Sequence, residues 1–350
     1  MNIWKNAYSQ EHFSVRRAQH KAFLPALEKR LTAAAHLAWQ KTILRCGTAQ
    51  AIKKARGDAP IHTARHSLCC RQQEMSMDKR YEALGEKWLP LVDNPEKNAM
   101  ALIPKVINEG GTREIWNTSD EKTETMMMAW PKECPLRIGV IMHGRKGEKL
   151  TPVTVLPLLE GLAQDMTIEE VHPWSNGACA YVAAARNEDA TPLWFQTMFY
   201  YRDKEMLSTP GVRQTILLAG MAYGIRPALL DELTVTEGPN YEKFAAEWLE
   251  KNPGKTRLDV PQLKVSLRGQ SILMPGPGPG DYQLRAAITA VQEADMEGRK
   301  IYILPFQLGM DTPAPLTLGL YVTERACNGY VPKVGDEIDA LLWLQGRLVD

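Results

Sequence analysis

His143, His172 and Cys179 are the candidates after residue 76 for acid–base or nucleophilic catalysis. An imidazole can accept and donate a proton near neutral pH, and a neighbouring thiol can become a nucleophile when such a base activates it. The step Asn176-Gly177 predicts a hairpin turn, which would bring Cys179 towards His172. This arrangement would suit a hydrolase or a transferase.

The surroundings of the two histidines also allow a structural interpretation. His143 ends a predicted strand beside Arg145 and Lys146, and His172 follows Glu169-Glu170, either of which could orient the ring. In that interpretation, both histidines are ordinary polar residues at the ends of strands. The apolar neighbours of Cys179 favour a packed strand cysteine. A hydrolase or transferase centred on His143 or His172 is therefore the third of three functions that we consider.

Motifs for cofactors and metals are not found in the sequence. The glycines at 144 and 147 lack the strand, loop and helix pattern of a phosphate loop. The glycines of Gly276–Gly280 alternate with prolines, which remove the amide donors that a phosphate needs. The cysteines form no C-x-x-C pair. We therefore expect neither a cofactor nor a metal.

Aromatic side chains are the remaining candidates for a binding surface. Alternation along the predicted strands places Trp194 opposite Leu193 and Phe195, and a similar argument applies to the second half of the chain. Exposed aromatic faces on small barrels stack bases or sugars, or anchor protein partners. Alternatively, they cover other elements of the same chain. The predicted binding residues are Trp174, Trp194, Tyr200, Tyr302, Tyr321 and Trp343.

Charge is divided unevenly along the chain. Residues 1–76 contain 13 basic and 4 acidic side chains, a net charge of +9. The other residues contain 29 basic and 37 acidic side chains, a net charge of −8. Nucleic-acid binding needs a basic surface, so it is predicted only through residues 1–76. The acidic remainder favours a protein partner.

Residues 1–76 have three interpretations. They are a basic arm with a loose helical pattern between Phe23 and Ile43, or an Arg-rich transit peptide, or a start-site error. In the last case, the codons of Gln73-Glu74 would hold a ribosome-binding site and translation would begin at Met77.

No membrane span is predicted. The longest uncharged apolar run, Thr215–Ile225, has eleven residues, whereas a spanning helix needs about 20. The N-terminus lacks the pattern of a secretory signal. Scattered cysteines indicate free, mostly buried thiols in a reducing compartment. We therefore expect a cytoplasmic protein that does not contact membranes.

A weak internal repeat suggests the fold. One copy runs from about Met166 to Arg226 and the other from about Tyr282 to Val349. Each has a strand ending in valine, a turn glycine, a strictly alternating strand, a second glycine and a dense apolar strand. Short alternating strands at this spacing are typical of small antiparallel barrels. The repeat therefore predicts tandem barrels of OB-like type, or else two unrelated small β units.

The other elements follow from local periodicity. Helices are predicted at 78–92, at 100–107 before Gly110-Gly111, at Val153–Ala163 and at Tyr241–Lys251. Residues 111–135 are predicted to be irregular, and Leu136–Met142 to be a buried strand. The Pro-Gly stretch Met274–Gly280 is predicted to be a linker, because proline and glycine exclude helix and central strand.

The sequence thus predicts an α+β protein with a helical N-terminal region followed by two small antiparallel β-barrels of OB-like type. Its predicted segments are 1–76 (arm or extension), 77–135 (helical), 136–230 (α/β segment and first barrel), 231–280 (helix and linker) and 281–350 (second barrel). The favoured function is a non-catalytic cytosolic module that binds a protein partner. The alternative is nucleic-acid binding by residues 1–76 together with the barrel aromatics.

Overall fold

The fold is mixed α+β and mostly β. The structure is a computed structural model and describes residues 84–110, 112–116, 122–188, 190–309 and 315–349. Predictions for residues 1–76, and for the first part of the helix at 78–92, lie outside these residues. The described residues divide into two compact units, one of residues 230–267 and one of residues 84–229 and 268–349. The segment boundaries predicted from the sequence stay a prediction.

The larger unit begins with a short turn and a helix. Residues Glu86–Trp88 form a 3-10 turn. The prediction of a helix at 78–92 is therefore wrong for the residues that the structure describes. Helix α1 spans Pro95–Glu109, begins with a proline at its first position and ends before Gly110. It confirms the predicted helix at 100–107.

Four antiparallel strands form a sheet of order β1-β2-β3-β4, of which β2, β3 and β4 contact α1. They are β1 Thr112–Trp116, β2 Thr123–Trp130, β3 Leu136–Arg145 and β4 Thr151–Leu159. The strand predicted at 136–142 is confirmed within β3. Residues 111–135, predicted to be irregular, instead contribute β1 and β2, because Met126–Met128 pair along β3.

The helix predicted at Val153–Ala163 is wrong, because this segment pairs with β3 as β4. Its leucines fit both helical and strand spacing. However, Pro157 would break a helix, and a proline is accepted in a strand that lies at a sheet edge, as β4 does.

The rest of the larger unit is a ten-stranded sheet with two short helices. Its strands are β5 Leu162–Pro173, β6 Ala180–Ala185, β7 Leu193–Thr197, β8 Arg213–Pro227, β11 Ile272–Pro275, β12 Asp281–Ala287, β13 Gln292–Asp295, β14 Lys300–Leu308, β15 Leu316–Thr323 and β16 Glu337–Leu348. The strand order is β11-β12-β16-β7-β6-β5-β8-β15-β14-β13, with a further pairing of β16 and β8. Helix α2, Tyr200–Leu207, precedes β8, and helix α4, Glu324–Cys327, precedes β16.

The register of this sheet reproduces the internal repeat. Leu162 pairs with Leu218 in the first copy. The residues at the corresponding positions of the second copy, Tyr282 and Leu342, pair in the same way. The second glycines correspond too: Gly211 N–H donates to the carbonyl of Ile168, and Gly335 N–H donates to that of Ile288. Both glycines have positive φ, 83° and 91°, which only glycine adopts without strain.

The two copies do not form two separate barrels, and that part of the prediction is wrong. Strands β8 and β16 pair antiparallel with each other from Ile216–Leu348 to Pro227–Ile338. Moreover, β7 of the first copy pairs with β16, and β15 of the second copy pairs with β8. Alternation indicates strands but not their partners, and here each copy takes a partner from the other. Gly220 lies between Leu342 and Leu320, where its missing side chain permits the close approach.

The smaller unit, residues 230–267, has its own short elements. Strands β9 Glu232–Val235 and β10 Leu263–Ser266 pair antiparallel, and helix α3, Pro239–Lys251, lies between them in the chain. This helix confirms the prediction for Tyr241–Lys251. Leu233, Val235 and Ala245 are buried. None of the helices among the described residues has the length and apolar character needed to cross a membrane.

Gly346 gives a test of how tightly the two copies are joined. A Cβ at this buried position of β16 would lie 2.5 Å from the ring of Phe195 in β7. We expect Gly346→Ala to lower the free energy of unfolding by about 1–3 kcal/mol, measured by urea denaturation. Gly224→Ala is the matched control, because its Cβ would meet its nearest neighbour at 3.8 Å. Equal stability of the two variants would contradict the β7–β16 packing.

Candidate functional site

The two histidines lie in different surroundings and each already has a partner. His143 lies in β3 with its Nδ1 2.8 Å from the Thr125 hydroxyl, and its ring stacks on Tyr201 at a centroid distance of 5.0 Å. His172 lies in β5 with its Nε2 2.6 Å from Glu170 Oε1. Of the two acidic residues that could orient His172, Glu170 therefore does so.

Cys179 lies near the hairpin that the sequence predicts, but it is not poised as a nucleophile. Gly177 adopts φ of 67° in the turn, and Trp174 N–H donates to the Cys179 carbonyl at 2.9 Å. The side chain is fully buried, and burial raises the pKa of the thiol to about 12. The thiol is thus protonated near neutral pH, and the imidazole of His172 is bound to Glu170.

The prediction of exposed aromatic faces is wrong for most of the six residues. Trp174, Tyr302, Tyr321 and Trp343 are buried, whereas Trp194 and Tyr200 are half-buried. The reason is that both faces of the large sheet are covered. Trp343 belongs to the apolar core on one side and Tyr302 to the core on the other. Where both faces are buried, alternation does not mark the exposed one.

The structure instead draws attention to Lys87. The turn Glu86–Trp88 places this side chain in the interior, between the buried apolar residues Leu84, Trp88 and Leu91. The segment is tied to the sheet by Thr323, whose hydroxyl donates to the Pro90 carbonyl at 2.6 Å. Lysine is almost never fully buried without a partner, so its surroundings matter.

The partner of Lys87 is Asp281. The ammonium Nζ lies 3.7 Å from Asp281 Oδ1, and the Tyr223 hydroxyl donates to the same oxygen at 2.9 Å. Asp281 directly follows Gly280, whose φ of 77° allows the Pro-Gly turn to lead into β12. Burial raises the pKa of Tyr223 well above its ordinary value, so its hydroxyl stays a donor.

Aromatic rings form the walls around this ion pair. Nζ of Lys87 lies 4.8 Å from the centroid of the Trp343 ring and 5.8 Å from that of Tyr181. Cation–π attraction stabilises the ammonium here. This attraction does not fully compensate for the lost hydration of the ammonium, because burial lowers the pKa of Lys87 to about 8 despite the nearby Asp281 carboxylate.

Gln196 completes the group. Its side chain is 0% exposed, and no nitrogen or oxygen atom of the described residues hydrogen-bonds to its amide nitrogen or amide oxygen. The Cys179 thiol, a weak hydrogen-bonding group, lies beside this amide. The indole N–H of Trp343 is also buried without a partner among the described residues. We call the residues Lys87, Cys179, Tyr181, Gln196, Tyr223, Asp281 and Trp343 the Lys87 cluster.

The Lys87 cluster occurs on one copy of the repeat only. At the positions that correspond to Gln196, Trp343 and Asp281, the other copy has Gly319, Ala219 and Gly161. None of these three can supply a polar side chain. The shared fold of the copies therefore does not require the cluster.

Sequence reasoning missed Lys87, Gln196, Tyr223 and Asp281. One signal was available for Lys87, because it lies on the apolar stripe with Leu84, Trp88 and Leu91. For the other three residues no local signal exists. They come together through strand pairings between distant parts of the chain.

Within the part of the chain that the structure describes, no three His, Cys, Asp or Glu side chains lie together so as to hold a metal ion. Comparison of the chain with protein-family models, with curated proteins and with solved structures gave no match. The chemistry of the Lys87 cluster is therefore inferred from its own geometry.

Asp281→Asn tests the ion pair. The substitution leaves a buried ammonium without its counter-charge, so we expect the free energy of unfolding to fall by about 3–5 kcal/mol at pH 7. The folded protein binds fewer protons than the unfolded chain between the lowered pKa of Lys87, about 8, and its ordinary value of 10.5. The contribution of this group to stability therefore rises as the pH increases through that range. In the variant the rise begins at a lower pH, because loss of the Asp281 carboxylate lowers the pKa of Lys87 further.

The deficit of Asp281→Asn relative to the natural protein should thus shrink as the pH rises towards about 8 and be smallest above it, in urea denaturation at a series of pH values. Glu293→Gln, which removes an exposed partner of Lys300, is the control and should cost less than about 1 kcal/mol. A deficit for Asp281→Asn that does not change with pH would show that Lys87 is not its main partner.

Proposed function

We propose that this protein is a non-catalytic binding module and that a small molecule binds at the Lys87 cluster. The observation that carries the proposal is the buried amide of Gln196, together with the buried indole N–H of Trp343, neither of which has a hydrogen-bond partner among the nitrogen and oxygen atoms of the described residues. A buried polar group without a hydrogen bond costs about 1–3 kcal/mol. Three such atoms beside one ion pair are explained if a ligand satisfies them.

The state of the reactive groups favours binding over catalysis. The Cys179 thiol is protonated near neutral pH, and the Lys87 ammonium is paired with Asp281. His143 and His172 hydrogen-bond to other side chains than those of the cluster. A hydrolase or transferase centred on these histidines would need a different set of groups to activate its nucleophile.

The OB-like character of the fold is part of this proposal, in an altered form. Strands β16, β7, β6, β5 and β8 are successive neighbours, and β8 also pairs with β16. Five strands are the number in one OB-type barrel. Tyr181 in β6, Gln196 in β7, Tyr223 in β8 and Trp343 in β16 all come from this set. One barrel-like unit built from both copies would thus carry these four side chains.

Gln196→Leu tests the proposed function. Removal of the buried amide should abolish ligand binding while the ligand-free protein keeps its stability or gains about 1 kcal/mol, because an unpartnered amide is lost. The full chain is purified from its source cells, denatured in organic solvent, and the extract is compared by mass spectrometry with that of the variant. We expect a low-mass compound, near one per chain, from the natural protein and none from Gln196→Leu.

Gln307→Leu is the matched control, because Gln307 lies exposed on β14. Its extract should resemble that of the natural protein. Thermal unfolding of each variant checks that it is folded. If all three folded proteins give the same extract, with no compound that depends on Gln196, the proposed function is wrong.

Contact with a protein partner is a second candidate, favoured by the edge of the first sheet. Strand β1 pairs only with β2 among the described residues, and it carries Ile115 with 61% of its surface exposed. The strand also carries the charged residues Arg113 and Glu114, and an extended segment of a partner can pair along such an edge. The nucleic-acid alternative has less support, because its aromatics are largely buried and residues 1–76 lie outside the described residues.

A photo-crosslinking residue at position 115 tests this candidate in living cells. We expect a discrete adduct of the full chain with one protein, because an added strand would lie against Ile115. The same residue at position 293, on the acidic edge strand β13, should give none. Equal adduct patterns at the two positions would contradict a specific contact at β1.

A further inference from the structure

We propose that Arg285, Glu337 and Asp339 form a latch that fixes both connections between the two units, and that this latch opens locally while each unit stays folded. The connections are residues 228–229, which lead into the smaller unit, and residues 268–269, which lead out of it. We call the three side chains the Arg285 latch. It shares no residue with the Lys87 cluster, so its test is separate from that of the proposed function.

The smaller unit closes on its own backbone where the chain enters and leaves it. Leu267 N–H donates to the Asp231 carbonyl at 2.8 Å, next to the paired residues Glu232 and Ser266 of β9 and β10. This pairing brings the two connections to one place. A single group of side chains in the larger unit can therefore bind both of them.

Two carboxylates at the start of β16 bind the connections. Leu229 N–H donates to Asp339 Oδ2 at 3.4 Å, and Gly269 N–H donates to Glu337 Oε1 at 2.6 Å. The carboxylates are two positions apart on one strand, so they lie on the same face of the sheet. Only one backbone hydrogen bond, from Ala228 N–H to the Glu337 carbonyl at 2.8 Å, supports them without a side chain in the contacts described for residues 228, 229 and 269.

Arg285 joins the two carboxylates to each other. Its Nη2 donates to Glu337 Oε2 at 2.9 Å, and its Nη1 lies 3.7 Å from Asp339 Oδ1. The residue is 2% exposed, and it lies directly opposite Asp339 in the register of β12 and β16. Arg226 is a second cation, with its Nε 4.0 Å from Asp339 Oδ2. The planar guanidinium of Arg285 binds two carboxylates at once, so it acts on both connections together.

The other copy of the repeat shows that the sheet does not need these ion pairs. The positions that correspond to Arg285 and Asp339 are Asp165 and Thr215, which also pair directly. There the Thr215 hydroxyl donates to Asp165 Oδ1 at 2.7 Å, in an exposed hydrogen bond. A buried ion pair adds little stability over an uncharged alternative. The Arg285 latch occurs only on the copy whose strands bind the two connections.

The surroundings of the latch favour local opening. Leu229 and Gly269 are exposed, and exposed backbone hydrogen bonds open at a lower free energy than those of a packed core. Beyond the latch, β16 remains paired with both β8 and β12. The latch can therefore open without separating these strands.

Amide hydrogen exchange of the full chain, resolved by residue, tests the latch. Arg285→Met removes the guanidinium and leaves two carboxylates to repel each other. We expect the amides of Leu229 and Gly269 both to exchange about ten-fold faster than in the natural protein, the effect of one lost hydrogen bond at each. Two amides should keep their rates: that of Leu267 in the smaller unit, and that of Leu344, which donates to the Gly280 carbonyl in the larger unit.

Single carboxylate variants separate the two connections. Glu337→Ala should accelerate exchange at Gly269, and Asp339→Ala should accelerate it at Leu229. Asp165→Ala is the matched control, because it removes the corresponding side chain of the other copy, and it should change neither amide. The two alanine variants also decide the matter if Arg285→Met does not fold.

The outcomes are distinct. If Leu267 and Leu344 exchange as much faster as Leu229 and Gly269 in Arg285→Met, Arg285 stabilises the whole fold and the latch is wrong. Acceleration at only one of the two connections in that variant contradicts their joint control by Arg285. Unchanged rates at Gly269 in Glu337→Ala and at Leu229 in Asp339→Ala also overturn the proposal.

Discussion

The antiparallel pairing of β8 with β16 is the contact on which the larger unit depends. Each of these long strands belongs to a different copy of the repeat, and each also pairs with its own copy's first strand, β5 or β12. The strand that precedes the long strand in each copy, β7 or β15, then pairs with the long strand of the other copy. Gly220 and Gly346 keep the crossing free of side chains where Leu342, Leu320 and Phe195 approach. The two-fold relation of the copies is therefore a property of this single interface.

A symmetric framework explains why the asymmetric residues stand out. Register and glycine hydrogen bonds repeat between the copies, but the polar residues of the Lys87 cluster do not. Gly319 of the second copy occupies the position of Gln196 in the first copy. Ala219 of the first copy occupies the position of Trp343 in the second copy. Lys87 is supplied from outside the repeat, by the turn Glu86–Trp88. The framework thus provides two equivalent positions, and one of them has gained buried polar groups that packing alone would disfavour.

The fold was predictable from the sequence where its signals are local. Helices α1 and α3 follow from apolar spacing and from the residues that end them, and the repeat follows from alternation and turn glycines. Prediction failed where a residue's partner decided the outcome. Met126–Met128 show no period of their own, yet they form a strand because β3 lies beside them. Leu156 and Leu159 fit a helix equally well until the pairing with β3 excludes it.

The candidate site was less predictable, for the same physical reason. The aromatic residues were identified as possible binding groups, but Tyr302 and Trp343 lie in cores on opposite sides of one sheet. Exposure depends on what covers each face, and a single strand carries no information about that. Lys87 offered a signal, because a lysine on an apolar stripe must find a counter-charge. Asp281, nearly two hundred positions later in the chain, offered none.

The long sequence separation between β16 and its partners has a consequence for the order of folding. This strand pairs with β12, β8 and β7, so neither copy has its full set of neighbours before it is available. Contacts between residues so far apart in sequence form late, because a long loop must be closed before they repay its entropy. Until β16 is available, β8 has an open edge that β16 will later cover. The larger unit therefore depends on the 12 residues of β16 to convert a set of hairpins into one cooperative unit.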